Sequence, residues 1–363
     1  MLLFLIVVMG CAALRGNVLR RDMVAWGVAV LVEDPASARE VVEDVALAVE
    51  REFVGPLDLE KWRIAKRRAR EEALEAPEAS LEIASRLLEA TGDRYTRLVA
   101  PEVASQLLLK YARGEEASTG VVLGEESPRV VAGPSPLSVG DRIVEVDGTP
   151  VTRSDDAAQL LRAGAPGTRV AVGLAGGRTV SIERTAVREV EVTEQRSGSV
   201  AVRVRDFSLL TPELLEAAIG GAERASLDLR ANGGGAFEGG LEAAALFVRR
   251  GTPLATVVEG PNGVRRTLRV ADRDGPFARL PLFLLVDAGT ASAAEVFAGA
   301  LQSAGRATLV GTSRTYGKAR VQRVVDIPGG GLLLVSRARY EVGGIDLTGR
   351  GLTPDLEISA PSR

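Results

Sequence analysis

Residues 280–322 read LPLFLLVDAGTASAAEVFAGALQSAGRATLVGTSRTYGKARVQ, and they carry the clearest alternation of predicted strand, helix and strand in the chain. The apolar run Leu280–Val286 predicts a buried strand that ends at a turn. Ser292 then opens an alanine-rich segment with helical apolar spacing, and a second apolar run, Ala307–Val310, leads to a loop before Lys318. A serine at the start of a helix and a lysine beyond the next strand indicate a nucleophile and its base.

The composition narrows the chemistry of such a pair. The chain of 363 residues has no histidine, and its one cysteine, Cys11, lies in an apolar leader, so catalytic triads that use histidine are excluded. Arginine keeps its proton at working pH, whereas a lysine can serve as a base if burial lowers its pKa. Only four of the 45 basic residues are lysines, and Lys318 is one of them.

Each residue also has a simpler interpretation. Ser292-Ala-Ala-Glu295 fits a capping box, in which the serine hydroxyl only caps the helix. A single lysine after a glycine is commonly a solvated surface residue. The surrounding sequence decides between the interpretations.

Two segments around these residues resemble a known signature. GTASAAEVFAGALQ (289–302) and YGKARVQ (316–322) resemble the carboxyl-terminal processing peptidases, which are serine proteases with a Ser-Lys dyad. The resemblance implies Ser292 as nucleophile, Lys318 as general base and Gln322 as the residue that positions the lysine. Because residues four apart share a face of a strand, we expect the Gln322 amide to reach the Lys318 amine.

A third segment, LDLRANGGG (227–235), resembles the family's L-D-L-R-x-N-x-G-G. Its glycines allow backbone N–H groups to point at an anion, although such a turn alone is also a plain strand-to-helix connection. The resemblance implies an oxyanion hole that combines the amide of Gly234 or Gly235 with that of Ala293. A helix N-terminus suits Ala293 to this role, because its exposed amides and the helix dipole favour negative charge.

Residues 1–32 form an apolar leader, in which Val8-Met9-Gly10-Cys11 resembles a lipobox with Cys11 as the lipidation candidate. A truncated signal peptide, a signal anchor and a buried strand are the alternatives. Export is the expectation. The family context places the protein outside the cytoplasm, in the bacterial periplasm or cell envelope, or in a thylakoid lumen. Membrane association through the leader is then expected.

Residues 33–110 are predicted to be an N-terminal helical region, in which Ser37-Ala-Arg-Glu40 forms a capping box for the first helix. The region ends in GDRYTRLVAPE (92–102), which resembles a family segment that leads into the next domain. Arg94 stands where that segment usually has proline.

Residues 117–188 resemble a PDZ domain, with a helix over 155–161 and a hairpin over 167–184. Such a domain binds a peptide by strand addition and holds the terminal carboxylate on backbone N–H groups. Few residues separate Val131 from Gly140, so the domain is trimmed compared with the family, and a purely structural β-domain is the alternative. The predicted carboxylate loop consists of Ser118, Thr119, Gly120 and Val121.

These segments predict an α+β multidomain fold: the helical region, the PDZ-like β-domain and a crotonase- or ClpP-like α/β protease core over 190–363. The resemblance, which runs from about residue 38 to 358, implies a serine endopeptidase that trims apolar C-terminal tails of substrate proteins. Sequence details favour the photosynthetic branch, which processes the photosystem II reaction-centre core subunit.

Two other functions are compatible with the same fold: a non-catalytic peptide- or ligand-binding relative, and a PDZ adaptor with a silent protease domain. The resemblance implies no metal and no cofactor. The net charge of -3 gives no basic excess suited to nucleic acid.

Overall fold

A computed structural model describes residues 37–101, 104, 107–108, 110–111, 115–124, 127–162, 164, 166–260 and 265–359. The predicted leader over residues 1–32, together with Cys11, lies outside these ranges. Within them, none of the helices combines the length and the hydropathy needed to cross a bilayer.

The described chain opens with three helices, α1 (Ala38–Glu52), α2 (Leu59–Glu75) and α3 (Ser80–Glu89). The capping box predicted at the start of α1 is confirmed, because the Glu40 N–H donates to Ser37 Oγ at 3.3 Å and the Ser37 N–H donates to the Glu40 carboxylate at 3.0 Å.

The apolar faces of these helices form one cluster with residues of a later strand, including Leu333 and Val335. The helical region therefore covers a sheet of the C-terminal region. It buries its apolar surface there instead of forming an isolated bundle.

Strand β1 (Arg97–Val99) leads towards a small β-domain with its own apolar core. The helix and the hairpin predicted in this domain are confirmed, as α4 (Ser154–Arg162) and the antiparallel pair of β7 (Arg169–Leu174) and β8 (Thr179–Glu183). Its strands are β2 (Glu115–Ser118), β3 (Val122–Leu123), β4 (Val130–Ala132), β5 (Ile143–Val146), β6 (Thr149–Pro150), β7 (Arg169–Leu174), β8 (Thr179–Glu183) and β9 (Thr185–Arg188).

The C-terminal region begins at Val190 and contains strands and helices in alternation over much of its length. Its helices are α5 (Thr211–Ile219), α6 (Phe237–Ala245) and α7 (Ala293–Ser303). Its strands are β10 (Val190–Arg196), β11 (Ser199–Val204), β12 (Arg224–Asp228), β13 (Pro253–Glu259), β14 (Arg265–Val270), β15 (Leu282–Val286), β16 (Thr308–Gly311), β17 (Arg320–Asp326), β18 (Leu332–Val342), β19 (Ile345–Asp346) and β20 (Leu356–Glu357).

These strands form two sheets. The first has the order β10-β11-β12-β15-β16-β20 and is parallel except for the antiparallel pair β10–β11. The second is antiparallel, with the order β1-β18-β13-β14, and β17 and β19 also pair with β18. Strand β1, from the helical region, is thus an integral part of the second sheet.

Helix α7 lies between the two sheets and contacts β16 of the first and both β13 and β18 of the second. Every residue from Ala293 to Leu301 is buried, which explains the alanine-rich composition, because small side chains let the layers approach closely. At Gly299 an added Cβ would lie 3.1 Å from side-chain atoms of Val342 and Leu352.

The parallel strands β12 and β15 end at the same edge of the first sheet. The glycine-rich segment 229–235 follows β12, and the segment 287–292 follows β15. In open α/β sheets, ligands bind outside the carboxyl ends of the strands, so this edge is where a site is expected.

Candidate active site

Ser292 precedes helix α7 with a backbone φ of +57° and ψ of -120°. A residue with a side chain is strained in this region by about 1–3 kcal/mol and holds it only where its surroundings fix it. The Ser292 carbonyl oxygen is fixed by three donors: the Tyr340 hydroxyl at 2.9 Å, the Glu295 N–H at 2.9 Å and the Val296 N–H at 3.0 Å. The helix and strand β18 together hold the serine in place.

The Glu295 carboxylate organises the loops around Ser292. One of its oxygens accepts the backbone N–H groups of Ser292 and Lys318, each at 3.0 Å. The other accepts the Thr315 hydroxyl and the Gly317 N–H, each at 2.6 Å. The side chain is fully buried, and this burial raises the pKa of Glu295 against the opposing effect of the hydrogen bonds. One carboxylate thus connects the loops that carry the predicted nucleophile and base.

Lys318 Nζ donates to Gln322 Oε1 at 2.8 Å, so the predicted contact between these side chains is made. The reason given for it from strand spacing is wrong. Lys318 precedes strand β17, Ala319 between them has φ +41°, and the strand register shifts between Val321 and Gln322. The contact arises from a bent approach to the strand and not from a regular two-residue repeat.

Tyr95 completes the surroundings of the lysine. Its carbonyl oxygen accepts Gln322 Nε2–H at 2.5 Å, and its ring centroid lies 5.3 Å from Lys318 Nζ. Because the amide NH₂ group of Gln322 is directed at this carbonyl, the amide oxygen must face the lysine. Tyr95 belongs to the segment just before β1, so the helical region contributes directly to the site.

The glycine-rich loop lies against the start of helix α7. A Cβ added to Gly234, whose φ is +109°, would lie 2.6 Å from Ser292 Cβ and 2.9 Å from the Ala293 nitrogen. Gly235 has φ +130°, and a Cβ there would overlap the Phe207 carbonyl oxygen at 2.1 Å. Both positions therefore require glycine, and the structure brings Ser292, Ala293 and Gly234 together.

Asn232 holds the glycine-rich loop in place. Its side chain is fully buried, donates from Nδ2 to the Val204 carbonyl at 2.9 Å and accepts the Gly234 N–H on Oδ1 at 2.9 Å. The Asn232 carbonyl also accepts the Ala291 N–H at 2.9 Å, which connects the loop to the segment before Ser292.

The predicted carboxylate loop lies elsewhere, in the β-domain at the start of β3. Two of its backbone N–H groups are engaged locally: that of Gly120 donates to Ser118 Oγ at 3.0 Å, and that of Val121 donates to Thr119 Oγ1 at 3.4 Å. Its assignment to a peptide terminus stays a prediction.

Four residues of the site were not assigned a role from the sequence: Tyr95, Asn232, Glu295 and Tyr340. Tyr95, Asn232 and Glu295 lie in segments that were quoted for their resemblance, whereas Tyr340 does not, and the contacts that define the roles of all four join distant parts of the chain. Backbone strain supports the location of the site, because three of the four non-glycine residues with positive φ in the described ranges are Ala231, Ser292 and Ala319.

Across the same ranges, no three histidine, cysteine, aspartate or glutamate side chains are grouped so that they could hold a metal ion. The polar groups described at the site include a serine, a lysine, a glutamine, a buried glutamate and backbone amides. This set is suited to proton transfer and to stabilisation of an oxyanion.

Known proteins resemble this chain in sequence and in fold. Residues 201–358 match the family described as Peptidase family S41. The chain is 32% identical over 316 residues to a chloroplastic C-terminal processing peptidase of Tetradesmus obliquus, a match that covers 75% of this chain and 66% of the relative. The chain belongs to peptidase family S41. The family predicted from the motifs is therefore confirmed.

This S41 chain is also 28% identical to a carboxyl-terminal-processing protease of Picosynechococcus, over 82% of this chain and 77% of the relative. The solved structure of a photosystem II D1 C-terminal processing protease matches with a TM-score of 0.62 and 26% identity, over 89% of this chain and 93% of that one. The mixed α/β fold is therefore that of S41 proteases. The S41 chain spans just under two thirds of the length of the algal relative, at 66%.

Proposed function

We propose that this S41 chain is a serine endopeptidase that trims the C-terminal tails of other proteins, with Ser292 as nucleophile and Lys318 as general base. The observation that carries the proposal is the Glu295 carboxylate, which accepts the backbone N–H groups of both residues. A buried carboxylate without a cationic partner costs folding free energy, and such strained groups are typical of functional sites.

In the proposed reaction, neutral Lys318 takes the proton of Ser292 Oγ as that oxygen attacks the scissile carbonyl carbon. The tetrahedral intermediate collapses when the C–N bond breaks, and the Lys318 ammonium gives its proton to the leaving amine. Lysine then takes a proton from water as the water oxygen attacks the acyl carbon, and it returns this proton to Ser292 Oγ when the bond between the acyl carbon and Oγ breaks and the product is released. Gln322 Oε1 supports these steps, because it accepts one N–H of the lysine and so orients the amine.

The oxyanion of that intermediate needs backbone donors. Ala293 is the first residue of helix α7, where N–H groups and the helix dipole favour negative charge. The Gly234 N–H donates to the Asn232 side chain in this conformation, so Gly235 is the remaining glycine candidate for the second donor. Removal of one such donor typically lowers the rate about 100- to 1000-fold.

The proposal extends to the substrate of the enzyme, to the types of its two β-containing domains and to its location in the cell. Relatives named as C-terminal processing proteases, one of them chloroplastic, support protein substrates that are trimmed at the C-terminus, and we propose that the trimmed tails are apolar. The β-domain is proposed to be a trimmed PDZ domain that receives such tails, and the two-sheet region a crotonase- or ClpP-like core. An extracytoplasmic location with membrane association through the leader completes the proposal.

The test is cleavage of peptides with apolar C-terminal tails, with products identified by mass spectrometry. We expect wild type to cut, with a rate that rises as the pH approaches the lysine pKa, and Ser292→Ala and Lys318→Ala to be inactive. Lys318→Arg should also be inactive, because it keeps the charge but cannot act as a base. Lys61→Ala is the matched control, since Lys61 lies on helix α2 with 78% of its side chain exposed.

If wild type and all variants are equally inert on several tails and at several pH values, the non-catalytic binding relative becomes the better description. If Lys318→Arg keeps wild-type activity, Lys318 is not the base.

A further inference from the structure

Arg94 and the proposed base, Lys318, contact the same aromatic ring. Arg94 Cζ lies 4.9 Å from the centroid of the Tyr95 ring and 5.1 Å from that of the Tyr316 ring. Its Nη2 donates to the Tyr95 hydroxyl at 2.9 Å. The Tyr95 ring also lies 5.3 Å from Lys318 Nζ, so one aromatic ring contacts both cations.

Arg94 differs from many arginines of this protein in its partners. Arg266 and Arg269, for example, each form two hydrogen bonds with a glutamate. The Arg94 side chain is exposed, its contacts are with tyrosines, and no carboxylate of the described residues lies within ion-pairing distance of it. A guanidinium has five N–H donors in a planar arrangement that matches a carboxylate, and the hydrogen bonds of Arg94 to Tyr95 and Tyr316 leave most of these donors available.

The position of Arg94 determines which part of a substrate it would meet. This step rests on the proposed function, in which Lys318 protonates the leaving amine. Arg94 contacts the same Tyr95 ring as Lys318, which places it towards the C-terminal side of the scissile bond, whereas Gly234 lies against Ser292 and Ala293, where the oxyanion forms. The segment to be released would pass Arg94.

We propose that Arg94 is a specificity residue that binds a carboxylate on the C-terminal side of the scissile bond. This carboxylate is the terminal one when the released tail is short, or an aspartate or glutamate side chain within a longer tail. The two tyrosine rings hold the guanidinium in place, so less side-chain freedom is lost when the carboxylate binds.

Four matched peptides separate the two sources of the carboxylate. One pair differs only in a free or amidated C-terminus on a short tail, and the other only in aspartate or asparagine within an amidated tail. Each peptide is assayed for kcat/KM with wild type, Arg94→Gln and Arg94→Lys. Arg39→Gln is the control for net charge, because Arg39 is exposed on helix α1.

With wild type we expect about a 5- to 10-fold higher kcat/KM for the charged member of at least one pair, in line with a charge-assisted hydrogen bond at an exposed site. Arg94→Gln should abolish this preference and cleave the uncharged members as fast as wild type. Arg94→Lys should keep part of the preference, and Arg39→Gln all of it.

An equal loss with charged and uncharged peptides in Arg94→Gln would mean that Arg94 acts on Lys318 and not on substrate, which overturns the inference. A wild-type enzyme without preference in either pair also overturns it. Binding of the same fluorescent peptides to Ser292→Ala and to Ser292→Ala/Arg94→Gln gives a readout that needs no cleavage. Failure of the proposed catalysis can therefore be distinguished from failure of the carboxylate site.

Discussion

Two glutamates, one at the site and one on the helical surface, show how surroundings decide what a carboxylate does. Glu50 on helix α1 accepts Lys66 Nζ at 2.5 Å and Trp62 Nε1–H at 2.9 Å, and the hydrogen bond from Lys66 lowers its pKa. Among the described residues, the hydrogen-bond donors to the Glu295 carboxylate are neutral N–H and O–H groups, and burial raises its pKa. The first carboxylate is paired with a cation and reaches solvent, whereas the second is buried and is held by neutral donors.

The number of hydrogen bonds to a charged group therefore does not indicate how much the fold or the site depends on that group. Glu50 connects two helices that also pack through an apolar face, and 39% of its side chain is exposed, so solvent screens its ion pair. Glu295 is fully buried and fixes the backbone of the proposed nucleophile and base. We therefore expect matched substitutions at the two positions to differ strongly.

The largest effect is expected for Glu295→Gln. The amide would place an NH₂ group against N–H donors that now face a carboxylate oxygen, so at least two buried donors lose their acceptor. We expect a loss of at least about 100-fold in kcat/KM and of about 2–4 kcal/mol in the free energy of unfolding. Peptide cleavage measures the loss in kcat/KM, and urea denaturation measures the loss in the free energy of unfolding. Activity within a few-fold of wild type would show that Glu295 is not needed to hold the dyad.

A smaller effect is expected for Tyr340→Phe, which removes the hydroxyl that donates to the Ser292 carbonyl from strand β18. The carbonyl keeps two helical N–H donors, so the loss in unfolding free energy should be about 1–2 kcal/mol. Because the strained backbone of Ser292 loses one of its supports, we also expect kcat to fall about 10-fold with little change in KM. A change confined to KM would place Tyr340 in substrate binding instead.

The pH dependence of stability should have opposite signs for the two glutamates. The folded protein binds the Glu295 proton more tightly than the unfolded chain does, because the pKa of Glu295 is raised in the folded state. As the pH rises from 4.5 to this raised pKa, the free energy of unfolding of wild type should therefore fall relative to that of Glu295→Gln. The change should be about 1.4 kcal/mol for each pKa unit.

Glu50 has a lowered folded pKa, so wild type should lose its advantage over Glu50→Gln as the pH falls below 4.5. Urea denaturation of both variants and wild type at several pH values measures both trends. Slopes of the same sign would contradict the contrast between the two sites.

The smallest effect is expected for Glu50→Gln at neutral pH. The amide oxygen can still accept Trp62 Nε1–H, and only the screened attraction to Lys66 is lost. We expect less than about 1 kcal/mol in unfolding free energy and unchanged peptide cleavage. A loss as large as that of Glu295→Gln would mean that the helical region depends on this ion pair more than its exposure suggests.

A contact of the fold or of the site could be predicted from the sequence when its partners lie close together along the chain, and could not when they lie far apart. At Ser37 the S-x-x-E pattern predicted both hydrogen bonds of the capping box, because all donors and acceptors lie within four residues. At Ser292 the same pattern predicts only the local hydrogen bonds of Glu295. The other donors to its carboxylate belong to residues 315–318 and come close to it only in the folded chain.

The lysine and its partner show an intermediate case. The contact between Lys318 and Gln322 was predicted, but a regular strand was assumed where a positive φ and a register shift bend the chain. Tyr95 could not be predicted as a partner of Gln322, because 227 positions separate them and no local pattern links a backbone carbonyl to a distant amide.

The burial of helix α7 between two sheets also bears on the stage of folding at which the site forms. Neither sheet alone can shield the helix from water, and the second sheet needs both β1 near the helical region and β18 towards the end of the chain. Ser292 thus acquires its strained conformation only once almost the whole polypeptide has been synthesised and packed. A nascent or half-folded chain therefore lacks the conformation in which Ser292 is proposed to act, and any activity that depends on Ser292 has to wait until folding is finished.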